Sequence, residues 1–316
     1  MRLARWTQGA ATYVGALHAD RLYAFPVETD QADLLANPET QLRWAVEAAL
    51  TGPGTPVREV TLLSPVVAPS VRDFVAFHQH LEGVVQTFGH EIPEAWFEAP
   101  TFYFTNPHSL VGAHEDVAVP PGCELLDFEL EVAAIIGRPG RDLTPLQARD
   151  HIAGYTILND WSARDLQARE MTVQLGPAKG KDFASTLGPW LVTADELEAA
   201  RDSSGFLHLD MQVSVNGRVI GTDSLAHMSW TFEELVAYAS RGTWVRTGDV
   251  LGSGTCGSGC LAELWGRNGS RQPPPLQPGD VVTMSVDRLG SISNRVVPGV
   301  EPKAVPRARL RTGDVA

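Results

Sequence analysis

Leu125-Leu126-Asp127-Phe128-Glu129-Leu130-Glu131-Val132 is the stretch from which the fold is read. Apolar and acidic residues alternate strictly from Leu126 to Val132, the period of a strand with two different faces. Leu126, Phe128, Leu130 and Val132 are predicted to enter a core, with Asp127, Glu129 and Glu131 on the opposite face. A row of like charges on one strand face repels itself. Two readings follow. A solvated face needs nothing more, because antiparallel sheets often keep one side wet. Alternatively, a divalent cation held by the carboxylates compensates the repulsion.

The rest of the chain alternates short strands and a few helices. Ala11–Gly15 and Arg21–Phe25 read as strands around a turn at Ala19-Asp20. Glu39–Leu50 reads as an amphipathic helix ended by Thr51-Gly52-Pro53-Gly54. These elements suggest a small N-terminal α/β domain over residues 1–58, with Val60–Leu63 opening a domain over 59–300 and a loose tail over 301–316. Phe74, Phe77, Leu81, Val84 and Phe88 recur at spacings of three and four, which predicts a helix over Val71–Phe88. That helix would carry Asp73 and His80 on one side, at the rim of its apolar face. Thr101–Phe104 and Gly154–Leu158 read as strands, the second ending at Asn159-Asp160-Trp161-Ser162. Arg164 and Gln167 follow, three apart and on one side if helical. Gly176–Lys181 is a loop that presents Lys181 without a phosphate-binding glycine pattern. Asn216-Gly217 within Val213–Ile220 signals a two-residue hairpin. Gly252–Gly259 is glycine-dense, as a loop or a ligand-approaching backbone would be. The fold class expected is α+β and β-rich.

Composition narrows the partners. The 316 residues carry 25 basic and 38 acidic side chains, a formal net charge of -13. That argues against nucleic acid or an anionic membrane as partner. It leaves an anionic small substrate open, because a metal and a few cations reverse the local field. The three cysteines, Cys123, Cys256 and Cys260, are too few for a disulfide framework. Cys256 and Cys260 form no CxxC pair, which argues against zinc. With no signal-like N-terminus and no apolar run of membrane length, a reduced cytoplasmic protein is expected.

Glu129 and Glu131 on one face, Asp160 at a strand end and Asp73 beside His80 make a possible oxygen-ligand site. Such ligands suit Mg²⁺, Mn²⁺ or Ca²⁺ better than zinc. Arg164, Gln167 and Lys181 add donors just downstream of Asp160. A metal, cations and one imidazole are what stabilising an enolate or oxyanion requires.

These motifs, in this order, resemble the fumarylacetoacetate hydrolase family over about Val60–Val297. The resemblance rests on Asp73-Phe74 with Gln79-His80, Leu126–Glu131, Asn159–Gln167, Gly180-Lys181, Gly188-Pro189-Trp190, Ser253-Gly254-Thr255 and Leu261-Ala262-Glu263-Leu264. It implies a mixed β-sandwich roll as catalytic domain and a homodimer. It also implies Glu129, Glu131 and Asp160 as metal ligands with Asp73 as the fourth. Asp127 is left out of that set. His80 then stands where the family's water-activating base stands, oriented by Glu263. Arg164, Gln167 and Lys181 match its oxyanion group, and Tyr103, Gly254 and Thr255 its substrate contacts. The activity implied is metal-dependent hydrolysis of a C–C bond in a 1,3-diketo acid of fumarylacetoacetate or acylpyruvate type. The alternative is a 2-oxo acid hydratase, decarboxylase or isomerase of aromatic or sugar-acid breakdown. Two departures concern the substrate. Gly89 stands where fumarylacetoacetases carry an arginine, and Val75 where they carry a tyrosine. Gly83–Ala99 is expected to form a lid with its own specificity.

Overall fold

The Leu130–Ile136 strand runs through the middle of a twelve-stranded mixed sheet. A computed structural model describes residues 1–26, 29–87 and 91–309, without the side chains of 38, 39 and 85–87. The strand pairs antiparallel with Ile152–Asp160 on one side and Val250–Gly252 on the other. Ser185–Thr193, Arg2–Gln8 and Ala11–His18 extend the sheet beyond the first, and Val71–Phe74 and Phe102–Thr105 beyond the second. The N-terminal strands continue the sheet through Arg2 and Leu3, opposite Val192 and Leu191. Thr61–Leu62 pairs back onto Arg2–Gln8. A five-stranded sheet is built on Asp210–Val215, Arg218–Ser224, Val281–Val286 and Gly290–Val297. Its hairpin turns at Asn216 and Gly217, both at positive φ (52° and 78°), as the Asn-Gly pair predicts. Among the described residues, no helix is long and apolar enough to cross a membrane.

The solvated-face reading of the acidic stretch fails. Leu130, Val132, Ala134 and Ile136 lie in one apolar core with Met211, Val213, Met284 and Ile292 of the smaller sheet. Ala133 and Ile135 point the other way, into a second core with Leu34, Leu35, Leu42 and Ala45. A strand covered on both faces becomes a continuous apolar run, which is what Val132–Ile136 is. Glu131 therefore stands at the end of the second core, fully buried.

The stretch is also not one continuous strand. Leu126–Asp127 pairs with Ser162–Ala163, and the main strand starts at Leu130. Between them side chains take the two backbone amides, Phe128 N donating to Asp127 Oδ1 and Glu129 N to Asn159 Oδ1, while the Glu129 carbonyl still accepts from Asp160 N.

The predicted helix over Val71–Phe88 is corrected at its first half. Val71–Phe74 is a strand, parallel to Val250–Gly252 and antiparallel to Phe102–Thr105, and the helix is His78–Thr87. Asp73 and His80 therefore sit on different elements. A short strand buried on both faces has no period to separate it from a helix.

Arg72 on this strand ion-pairs with Asp249 at 3.0 Å, both sides buried, and Ser70 Oγ and Arg246 N also donate to Asp249. Removing one member of a buried pair strands the other's charge. Asp249→Ala is expected to destabilise the protein by about 3 kcal/mol in urea unfolding.

Candidate active site

Three strand ends deliver the carboxylates. Glu131 comes from Leu130–Ile136, Asp73 from Val71–Phe74, Asp160 from the end of Ile152–Asp160, and Glu129 from the link before Leu130. Asp73, Glu129 and Glu131 each offer an oxygen within 4.8 Å of the others, all buried. Gly252, on the strand between Glu131 and Asp73, makes this approach possible. A Cβ there would stand 2.4 Å from Asp73 Oδ1 and 2.9 Å from Glu131 Oε2. Asp160 lies beside the trio. Lys181 Nζ contacts both Asp160 Oδ2 and Glu129 Oε2, and Tyr103 donates its hydroxyl to Asp160 Oδ2.

The cluster holds more negative charge than its cations balance. Asp73, Asp127, Glu129, Glu131 and Asp160 are buried around Lys181 and Arg164. Burial and the Asp160 charge push the Asp73 pKa up to about 7. Burial and Asp73 push Glu131 well above the carboxylate range, and burial with Glu129 raises Asp160. Burial works the same way on Glu129, but Lys181 and Arg164 hold it well below. Asp73 Oδ1 and Asp160 Oδ1 are buried without a hydrogen-bond partner. Orphaned buried oxygens on crowded carboxylates fit a hard divalent cation.

The helix His78–Thr87 packs on Leu261–Asn268 and sets His80 against Glu263. His80 Nδ1 lies 3.1 Å from Glu263 Oε2. Both oxygens of Glu263 accept from Ser258 N at 2.9 Å, and Arg267 pairs with Oε1. An acceptor-only carboxylate makes Nδ1 the N–H, which leaves the Nε2 lone pair free. A ring nitrogen of His80 is also within 4.8 Å of a Glu129 oxygen.

The other expected residues are partly elsewhere. Arg164 pairs with Glu129 at 2.7 Å and with Asp127 at 2.8 Å, while Gln167 Oε1 accepts from Arg164 Nη1. Gly254 N donates to Glu131 Oε2 at 3.2 Å, and the Thr255 hydroxyl lies 3.5 Å from Oε1. These two therefore brace a carboxylate within the structure itself. Val75 holds the Trp96 indole through its carbonyl. Gly89 and part of the expected lid lie outside the described residues.

Sequence reading missed several supports. Asp127 accepts from Leu261 N and Ala262 N, so it caps the helix that carries Glu263. Glu170 accepts from the amides of Ala178, Lys179 and Gly180, pinning the loop that presents Lys181. Arg267 was legible as an i,i+4 partner of Glu263. Gly252 carried no local signal, because its neighbours across the sheet are distant in sequence.

Two measurements test this centre. Gly252→Ala is expected to lower Mn²⁺ affinity at least about tenfold by calorimetry while the secondary structure is kept, since the methyl fills the space between the carboxylates. Asp73 and Glu131 bind protons more tightly in the folded metal-free protein than when unfolded. The part from Asp73 is complete below about pH 4 and is lost as pH rises through about 7. The metal-free protein should melt at least about 3 °C lower at pH 8 than at pH 6, and saturating Mn²⁺ should abolish the difference.

Comparison with known proteins places the chain. The family described as Fumarylacetoacetate (FAA) hydrolase C-terminal matches residues 70–297. The chain is 34% identical over 284 residues to the Fumarylacetoacetase of Arabidopsis thaliana, covering 72% of this chain and 67% of that protein. It is 32% identical over 247 residues to the mitochondrial Oxaloacetate tautomerase FAHD2A of Homo sapiens, covering 78% of this chain and 72% of that one. A match to the Fumarylacetoacetase of Oryza sativa covers 62% of that protein, so the chain spans about two thirds of the length of these fumarylacetoacetases. The solved Fumarylacetoacetate hydrolase of psychrophilic Exiguobacterium antarcticum is 28% identical, with a TM-score of 0.72 over 95% of this chain and 100% of that chain. With this architecture and a family match over residues 70–297 that spans the acidic strand, the helix of His80 and the glycine loop, the chain belongs to the fumarylacetoacetate hydrolase family.

Proposed function

We propose that the protein is a divalent-metal-dependent hydrolase that cleaves a C–C bond of a 1,3-diketo acid. The observation that carries this reading is the His80–Glu263 pair at the edge of the carboxylate cluster. Asp73, Glu129, Glu131 and Asp160 would hold the cation, which when bound polarises the ketone oxygens of the substrate. His80 Nε2 takes a proton from water while Nδ1–H stays on Glu263. The hydroxide adds to one carbonyl carbon. Lys181, Arg164 and Gln167 are the donors for the oxyanion that forms. Its collapse breaks the C–C bond, and the electron pair goes to the enolate of the leaving 2-oxo acid. The imidazolium of His80 returns its proton to that carbon. By the family resemblance, Tyr103, Gly254 and Thr255 would contact the substrate, Gly254 and Thr255 from their places beside Glu131.

A second reading is a tautomerase, favoured by the 32% identity to a protein named Oxaloacetate tautomerase. There His80 would move a proton between carbon and oxygen without water addition.

A panel of acylpyruvates with Mg²⁺ or Mn²⁺ separates the two. Hydrolysis predicts loss of the diketone enol absorbance with release of two acids. An enzyme that leaves every acylpyruvate intact while interconverting oxaloacetate tautomers sinks the hydrolase reading. His80→Ala is expected to lower kcat at least about 100-fold with metal affinity retained.

A further inference from the structure

We propose that Cys260, His80 and Glu129 form a second cation site, suited to a thiophilic divalent ion such as zinc or cadmium. The Cys260 sulfur lies 3.9 Å from His80 Nδ1, and a Glu129 oxygen completes a buried trio with all three ligand atoms within 4.8 Å. Zinc holds thiolate, imidazole and carboxylate donors at about 2.0–2.3 Å, so its tetrahedral donors stand roughly 3.5 Å apart. Side-chain rotations that bring the three in by about 1 Å would complete such a set. The metal replaces the thiol proton, which is released to solvent.

The two sites differ in chemistry and share one ligand. Asp73, Glu129 and Glu131 present only oxygen, which suits Mg²⁺ or Mn²⁺, whereas Cys260 and His80 add sulfur and nitrogen, which select softer ions. Glu129 belongs to both sets, so the two cations compete for it. Coordination through His80 Nε2 uses the lone pair of the base, and coordination through Nδ1 breaks its bond to Glu263. Either way a soft ion switches the base off. Cys256 is also buried but belongs to the apolar core and to neither ligand set, which makes it a control.

The cadmium test reads the thiolate directly and does not depend on which reaction the enzyme performs. Metal-free full-length protein is titrated with Cd²⁺ and followed by its thiolate-to-cadmium charge-transfer absorbance. Wild type and Cys256→Ser are expected to show a saturable band, and Cys260→Ser none. Cys260 caps the Leu261–Asn268 helix by accepting from Glu263 N, and serine caps a helix well, so this variant keeps its fold. The Mn²⁺-loaded Cys260→Ser enzyme should also need at least tenfold more Zn²⁺ for half-inhibition than wild type. No band in wild type, a band that survives in Cys260→Ser, or equal Zn²⁺ sensitivity of the two enzymes overturns the proposal.

Discussion

Buried negative charge is the constraint around which this protein is arranged. Five carboxylates, Asp73, Asp127, Glu129, Glu131 and Asp160, lie buried together and, among the described residues, have only Lys181 and Arg164 as ion-pair partners. Unpaired charges of this kind are expensive in a low-dielectric interior. The protein answers in three ways. Two cations sit directly on the carboxylates. Amides and hydroxyls donate to them, as Gly254 N and Leu261 N do. The remaining excess raises proton affinity at Asp73 and Glu131, and it is the opening for a dication.

The same constraint explains how His80 is placed. Asp127 joins Arg164 on one side to the start of the Leu261–Asn268 helix on the other. That helix carries Glu263, which orients His80. Arg164 and the His80–Glu263 pair thus share one buried carboxylate as a mechanical link. Asp127 stands outside the Asp73, Glu129 and Glu131 trio, yet those elements meet on it. Loop order follows the same rule on the other side, where Glu170 gathers three successive amides and sets the backbone that precedes Lys181.

The glycine loop works by absence. At Gly252 the two acidic strands need a neighbour with no side chain. At Gly221 a Cβ would stand 1.9 Å from the Ser258 carbonyl, so the 210–224 hairpin closes directly onto the loop whose Ser258 amide holds Glu263. Ser258 itself is at φ 60°, a left-handed turn that aims that amide.

Local signals in the sequence were enough for several elements. The alternation at Leu126–Val132 marked extended backbone with an acidic face, though not its break before Leu130, Asn216-Gly217 marked a hairpin, and the motif order marked the family. Other features depended on pairing. Val71–Phe74 carried helical spacing and became a strand because two neighbours were available for its backbone. The alternation itself did not separate core from water; it separated two cores. His80 and Glu263, 183 positions apart, meet only because two helices pack. Cys260, set aside on spacing as a zinc ligand, finds its imidazole and carboxylate through the fold. Periodicity and turn chemistry are local and can be read along the chain, whereas register and ligand geometry are set by which distant strands share a face.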